Sequence, residues 1–410
     1  MPSLYPHEIR KIASGSGASG FAGFYFPSLR ARGLGEEKPV PPYSAIIYKE
    51  GDEVRAEDRK GRKIASGESG VDDASVIQSA LDVGGLIVIC GDYNISAPIV
   101  INKRVHVFGI GEASFASAKL TVTANIDRVF DLRNSPKRCV FENIEVTGQN
   151  KVTTIFDCDR TDAPDTIGDH VFRNINVGGA EVGFDITKCE NNRFERVLFH
   201  YLSTGLKGHL TGTTYMKHGW FFGCNVAIDF SGYYLWLKDY WFSTDDTPVS
   251  AHIYLGYGTY YTRVTIKSCW FERASPAINT RQKIQYLNVE DCWVDFESED
   301  ITSPPQEIIK GEYSVLRLKG GLYFVDLSVA HSISVTADRF YAEGVFNHTV
   351  DTTNLNNYSI RYLNLSPECK EISSHYKSGV ATFSGDGTTT QFSIAHGLVK
   401  APSKVLVTPM

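Results

Sequence analysis

The chain has 410 residues, 42% hydrophobic and 21% charged, with a formal net charge of -6. That length can bury a large core, and no stretch is long and apolar enough to cross a bilayer, so a soluble protein with no membrane span is expected. The acidic balance, without a long block of like charge, excludes the basic footprint of a nucleic-acid binder.

Residues 1–42 hold GSGASGFAGF and EEKPVPP with no hydrophobic period, a composition that does not fold alone. Phe21, Phe24, Tyr25 and Phe26 make it more aromatic than a linker needs, so an arm that orders on a partner is expected. Residues 43–70 read as a β-meander, with turns at Glu50-Gly51-Asp52 and Lys60-Gly61. A short amphipathic helix is predicted over 74–82, with Val76, Ile77, Ala80 and Leu81 on one face and Asp72 or Asp73 as cap. Gly84-Gly85 then leads into a buried strand, Leu86 to Cys90, and Gly91-Asp92 turns the chain toward strands at Ile99 to Ile101 and Val105 to Phe108.

From Cys139 to Asp295 one short phrase returns seven times. VTIKSCWFE (Val264 to Glu272) and LNVEDCWVD (Leu287 to Asp295) align without gaps at a shift of 23 residues. The register is set by Glu142, Arg173, Glu195, Lys217, Lys238, Lys267 and Glu290. The preceding residue is apolar in every copy (Phe141, Phe172, Phe194, Met216, Leu237, Ile266, Val289), and so is the one four places after the register residue (Val146, Val177, Phe199, Phe221, Phe242, Phe271, Val294). These columns lie five residues apart, so an uninterrupted strand of period two cannot point both inward. A bend is therefore predicted at Asn143, Asn174, Arg196, His218, Asp239, Ser268 and Asp291, mostly short polar residues that tolerate one.

Repeats of this size signal a solenoid. The expected fold is all-β: a right-handed single-stranded parallel β-helix over 71–365, closed at its open end by the helix. An eighth copy is expected at Leu318 to Tyr323 and further strands at Ile333 to Phe340 and Tyr358 to Leu365. A linker and the start of a C-terminal β-module fill 366–410.

Eight cysteines are scattered singly, with no zinc spacing, and no P-loop, dinucleotide fingerprint or secretory signal is present. Neither a cofactor nor a resident metal is expected. Cys269 and Cys292 occupy one inward column of adjacent copies, where a disulfide is conceivable and small core thiols are the favoured reading.

Three places after the register residue, pointing outward, come Trp220, Trp241, Trp270 and Trp293. An exposed apolar stripe needs a partner. It reads either as a glycan-binding track, with Tyr257 and Tyr260 beside Tyr254 and Tyr261 in the neighbouring loop, or as a face buried by that loop or by sister chains of a homotrimer.

The phrases DDASVIQSALD and GGLIVICGDYNIS, with the strand ending Phe108-Gly109-Ile110-Gly111, resemble the opening segment of pectate-lyase-like β-helix proteins, including viral tail spikes. The preceding IIYKEGDEVRAEDRKGRKIASG is similar to the segment before such helices in proteins of archaea and their viruses, with the spikes of spindle-shaped archaeal viruses nearest. ATFSGDGTTTQFSIAHGLVKAPSKVLVTP, near the C-terminus, resembles a β-rich module found at the end of similar proteins. The resemblance implies a virion-surface tail spike or fibre subunit that attaches to host-cell surface polysaccharide, trimeric, docked to other virion proteins through residues 1–42.

The resemblance also implies two alternatives: a polysaccharide lyase or glycoside hydrolase, and an assembly protein without a ligand. Asp245, Asp246, His252, Arg263 and Lys267 follow the order of the acidic pair, His and Arg-x-Lys motifs of polygalacturonase-like hydrolases. They depart from it: no Asn-Thr-Asp precedes, His252 lacks flanking glycines, and three residues rather than one separate Arg263 from Lys267. Glu297, Glu299 and Asp300 offer a calcium-type acid cluster or, as favoured, a solvated turn.

Overall fold

The computed structural model describes residues 43–111, 117–162, 168–243, 251–256, 261–272, 276–295, 306–324, 331–346, 349–350 and 358–362. The N-terminal arm, the C-terminal module and the acids at Glu297, Glu299 and Asp300 lie outside the described residues. The described chain is a parallel β-solenoid with one α-helix.

Its geometry follows from the bend. Asn143, Asn174, Arg196, His218, Asp239, Ser268 and Asp291 have φ of 58°, 50°, 54°, 54°, 54°, 51° and 51°. Each is a single left-handed residue, which reverses the alternation once and turns both apolar columns inward. Backbone pairing then sets Ile266 beside Val289 and Phe271 beside Val294. The eighth copy follows, with Val289 beside Leu318 and a left-handed Gly320 at φ 83°. There Glu290 pairs with Lys319 but Cys292 with Leu322, so the Gly320-Gly321 pair carries one extra residue as a bulge. Parallel pairing continues to Tyr358–Tyr362.

Inside, in-register stacking produces aromatic ladders. Phe130, Phe156 and Phe184 stack at 4.8 and 4.6 Å between centroids, and Phe199, Phe221, Phe242 and Phe271 at 4.2, 5.1 and 4.7 Å. Such pairs each add about 0.5–1.5 kcal/mol beyond area burial. Cys269 and Cys292 are buried free thiols, as are the other described cysteines.

The N-terminal end is closed by two elements rather than by the helix alone. Strands Ala45–Glu50 (β1), Glu53–Asp58 (β2) and Lys63–Glu68 (β3) form an antiparallel meander, and β1 pairs parallel with the first solenoid strand through Ala45–Ile87 and Ile47–Ile89. The helix Asp73–Leu81 (α1) buries Val76, Ile77, Ala80 and Leu81 beneath this meander. Neither aspartate caps it through its side chain. Asp72 accepts from the backbone of Glu68, while buried Asp73 accepts from Gly70 N and Asn94 N and pairs with Lys49 at 3.1 Å. Asp73 thus ties meander, helix and first rung together.

Removing that carboxylate leaves the half-buried Gly70 and Asn94 N–H groups without this acceptor and the exposed Lys49 without this partner. Asp73→Ala should lower the unfolding free energy by about 1–3 kcal/mol, the cost of leaving its donors unsatisfied, read from the urea midpoint; an unchanged midpoint would refute the role. At a corner, Ser268→Val should cost about 1–2 kcal/mol because a β-branched residue resists the left-handed region. Ser268→Gly should cost nothing.

Candidate functional site

The outward tryptophans come into register across four rungs: Trp220 pairs with Trp241, Trp241 with Trp270 and Trp270 with Trp293, and Tyr323 follows on the next strand. Their rings lean on each other. Trp220 and Trp241 are parallel at 5.1 Å and 14°, Trp241 and Trp270 are tilted at 5.9 Å, and Trp293 meets Trp270 at 5.2 Å and 76°. Faces in the parallel part therefore cover one another, and outer edges meet solvent. Trp293, edge-on to Trp270, breaks this pattern. Trp241 and Trp293 are 42% and 46% exposed, while Trp220 and Trp270 are half-buried. The indole nitrogens of Trp220 and Trp270 are buried with no acceptor among the described residues.

On the strand before the corner, two places ahead of the register residue, Tyr215 and Trp236 also point outward and pair in register. Their rings are 6.4 Å apart, and Tyr215 lies 6.4 Å from Tyr234. Reading the four-tryptophan column alone missed this flank. The same register contained the signal, since an even offset from an outward residue on one strand points to the same face. The corner is thus an edge with aromatic side chains on both flanks and Lys217, Lys238 and Lys267 along its crest. Tyr254 is half-buried with the Arg281 guanidinium 4.5 Å from its ring centre, and Tyr261 is exposed. Tyr257 and Tyr260 lie outside the described residues.

The hydrolase-like set is brought together only in part. Asp245 and Asp246 lie outside the described residues. Arg263 and Lys267 share one face of the strand Arg263–Lys267, where Arg263 donates to Gln285 Oε1 at 2.6 Å and Lys267 to Glu290 Oε1 at 2.9 Å. His252 points inward. It is buried against Phe242 and Phe271, with Nε2 2.6 Å from the Glu272 carbonyl, and burial pushes its pKa down to about 4. That ring packs the core and is closed off from solvent among the described residues.

A separate shallow groove of about 450 Å³ crosses four stacked strands elsewhere, from Asn125 to Ser203. Its lining includes Ile126, Val152 and Ala180, with Asn125, Asp127, Asn150, Lys151 and Glu181 around them. Asp127 and Glu181 are exposed and lie two rungs apart by the pairing of their strands. The sequence carried no motif for this pair, because strand stacking alone aligns it.

No known protein family and no curated protein matches this chain. Solved structures match its architecture. The catalytic domain of a GH87 alpha-1,3-glucanase in complex with tetrasaccharides is similar over 82% of this chain and 69% of its own, at 10% identity and a TM-score of 0.42. The A-module of the Azotobacter vinelandii mannuronan C-5 epimerase is similar over 73% and 96%, at 9% identity and 0.31. The Dettilon tailspike protein is similar over 72% and 64%, at 11% identity and 0.22. At these identities and scores no residue or activity transfers from them.

Buried His252 links stability to pH. Unfolded, it takes up a proton near its ordinary pKa of 6.5; folded, only near 4. Between these values the unfolded state binds more protons, so stability is full above about pH 6.5 and falls as pH drops toward 4. His170, pushed down to about 3 by burial and by Arg160, adds to the slope. His252→Gln should reduce the stability lost between pH 7 and pH 4 by about 2–3 kcal/mol, measured by urea unfolding at both values. An unaltered loss would contradict the assignment.

Proposed function

We propose that this chain is a glycan-binding solenoid, the body of a virion tail spike or fibre subunit that attaches to host-cell surface polysaccharide. The observation that carries the reading is the corner with outward aromatic side chains on both flanks. Trp241 and Trp293 are the most exposed of its tryptophans, and indole is suited to apolar contact with a sugar ring plus a hydrogen bond from its N–H. An apolar strip of this length on a surface calls for a partner. In this reading the arm at 1–42 docks to other virion proteins, the working form is a homotrimer and the site of action is the virion surface. The resemblance of IIYKEGDEVRAEDRKGRKIASG favours a spindle-shaped archaeal virus as its source.

Polysaccharide cleavage is the second reading, and the groove with Asp127 and Glu181 favours it. Two ladder steps separate their backbones by roughly 10 Å, a span the side chains would have to narrow to reach the roughly 6.5–9.5 Å between carboxyl groups in inverting glycosidases. Asp245 and Asp246 are the other acid pair proposed for this role.

Binding and cleavage separate in one assay of purified protein with host-surface polysaccharide. Trp241→Ala and Trp293→Ala should each weaken retention about five- to tenfold, since each removes on the order of 1 kcal/mol of apolar contact. Asp245→Asn with Asp246→Asn should leave retention unchanged. Full retention by both Trp variants would refute the attachment reading. New reducing ends or unsaturated products, lost in Asp127→Asn or Glu181→Gln, would establish cleavage instead. For assembly, light scattering should give a trimer at micromolar concentration; a stable monomer would exclude it.

A further inference from the structure

The register residues form one column along the solenoid, and its charges alternate almost throughout. Glu142 pairs with Arg173, Arg173 with Glu195, Lys267 with Glu290, Glu290 with Lys319, Lys319 with Glu343 and Glu343 with Arg361. The alternation yields ion pairs: Arg173 to Glu142 at 2.9 Å and to Glu195 at 3.3 Å, and Glu290 to Lys267 at 2.9 Å and to Lys319 at 3.8 Å. It breaks at one place. Lys217 pairs with Lys238 and Lys238 with Lys267, three like charges on adjacent strands.

Like charges directly opposite one another on neighbouring strands are destabilising. Local compensation here is thin. Lys238 reaches Asp239 at 3.7 Å, an acid shared with His218 at 3.1 Å, and Lys267 turns to Glu290. Lys217 makes no ion pair among the described residues. The rungs that carry this break also carry Trp220, Trp241 and Trp270, three residues further along each strand. The break and the aromatic column begin together.

We infer that the crest formed by Lys217, Lys238 and Lys267 binds the acid groups of a carboxylated or sulfated polysaccharide running along the solenoid axis. This rests on the carbohydrate reading above and names its chemical class. Ladder strands lie about 4.8 Å apart, so the three ammonium groups are spread over roughly 10 Å. That suits a row of acid groups on an extended chain better than one small anion. The flanking aromatic side chains supply apolar contact with the sugar rings between the charges.

The test uses the full chain and compares retention of polygalacturonate, alginate and dextran sulfate with that of methyl-esterified polygalacturonate and dextran, which lack the charge. The acidic polymers should be held at least tenfold more tightly, and the difference should shrink in high salt. Lys238→Glu restores the alternating sign with Lys217 and Lys267. It should keep or raise the thermal midpoint while weakening acidic-polymer retention at least tenfold, and Lys238→Gln should weaken it less. A merely structural lysine would lower the midpoint and leave polymer selectivity unchanged, which would overturn the inference. Equal retention of acidic and neutral polymers, still lost in Trp241→Ala, would overturn the acid preference and leave the carbohydrate reading standing. No retention of any of the five polymers would count against both.

Discussion

One left-handed residue at the corner of each repeated phrase is the constraint on which this solenoid depends. Without it, the apolar columns on either side would face opposite ways, and half of the inner aromatic ladder would be in solvent. Non-glycine residues resist that conformation at a cost of about 1–2 kcal/mol each. The chain meets the cost at Asn143, Asn174, Arg196, His218, Asp239, Ser268 and Asp291. What offsets it is burial on both sides of the bend, exemplified by fully buried Phe172, Phe194, Phe221 and Phe242. Two of the corners also hydrogen-bond to each other: Asn174 Nδ2 donates to Asn143 Oδ1 at 2.8 Å.

The same bend organises the outer surface. Because the alternation is reversed once, the register residue and the residue three places later both point outward on the two sides of the corner. Charged side chains therefore line the crest of the edge, with aromatic side chains on both flanks. A solenoid repeats this arrangement with little freedom between rungs, since each rung is held by its neighbours. The result is a rigid edge on which chemical groups recur at the ladder spacing, a geometry matched to a polymer rather than to a small molecule.

Rung register was legible in the sequence because it rests on backbone periodicity and on which residue types tolerate a left-handed bend. Ile266 beside Val289, Phe271 beside Val294 and the column of four tryptophans all follow from it. Ring orientation was not legible. Whether Trp241 offers a face or an edge is decided by the ring on the strand before it, and register says nothing about side-chain torsions. Position alone likewise gave no sign that His252 turns inward, since it lies outside the repeated phrase and its burial depends on Phe242 and Phe271. Asp73 looked like a helix cap, but the meander packed over the helix supplies Lys49 and draws the carboxylate into the junction. The groove beside Asp127 and Glu181 comes from stacking of distant segments, which local pattern cannot reveal.

The central claim is that the corner, and no other face, is where polysaccharide meets this protein. Hydrogen–deuterium exchange of the full chain with and without bound polysaccharide tests it most directly. Added protection is expected in 215–222, 236–243, 265–272 and 288–295, the strands and bends of the four tryptophan rungs. Protection confined to 125–127, 150–153 and 180–181 would place the contact in the groove instead and contradict it.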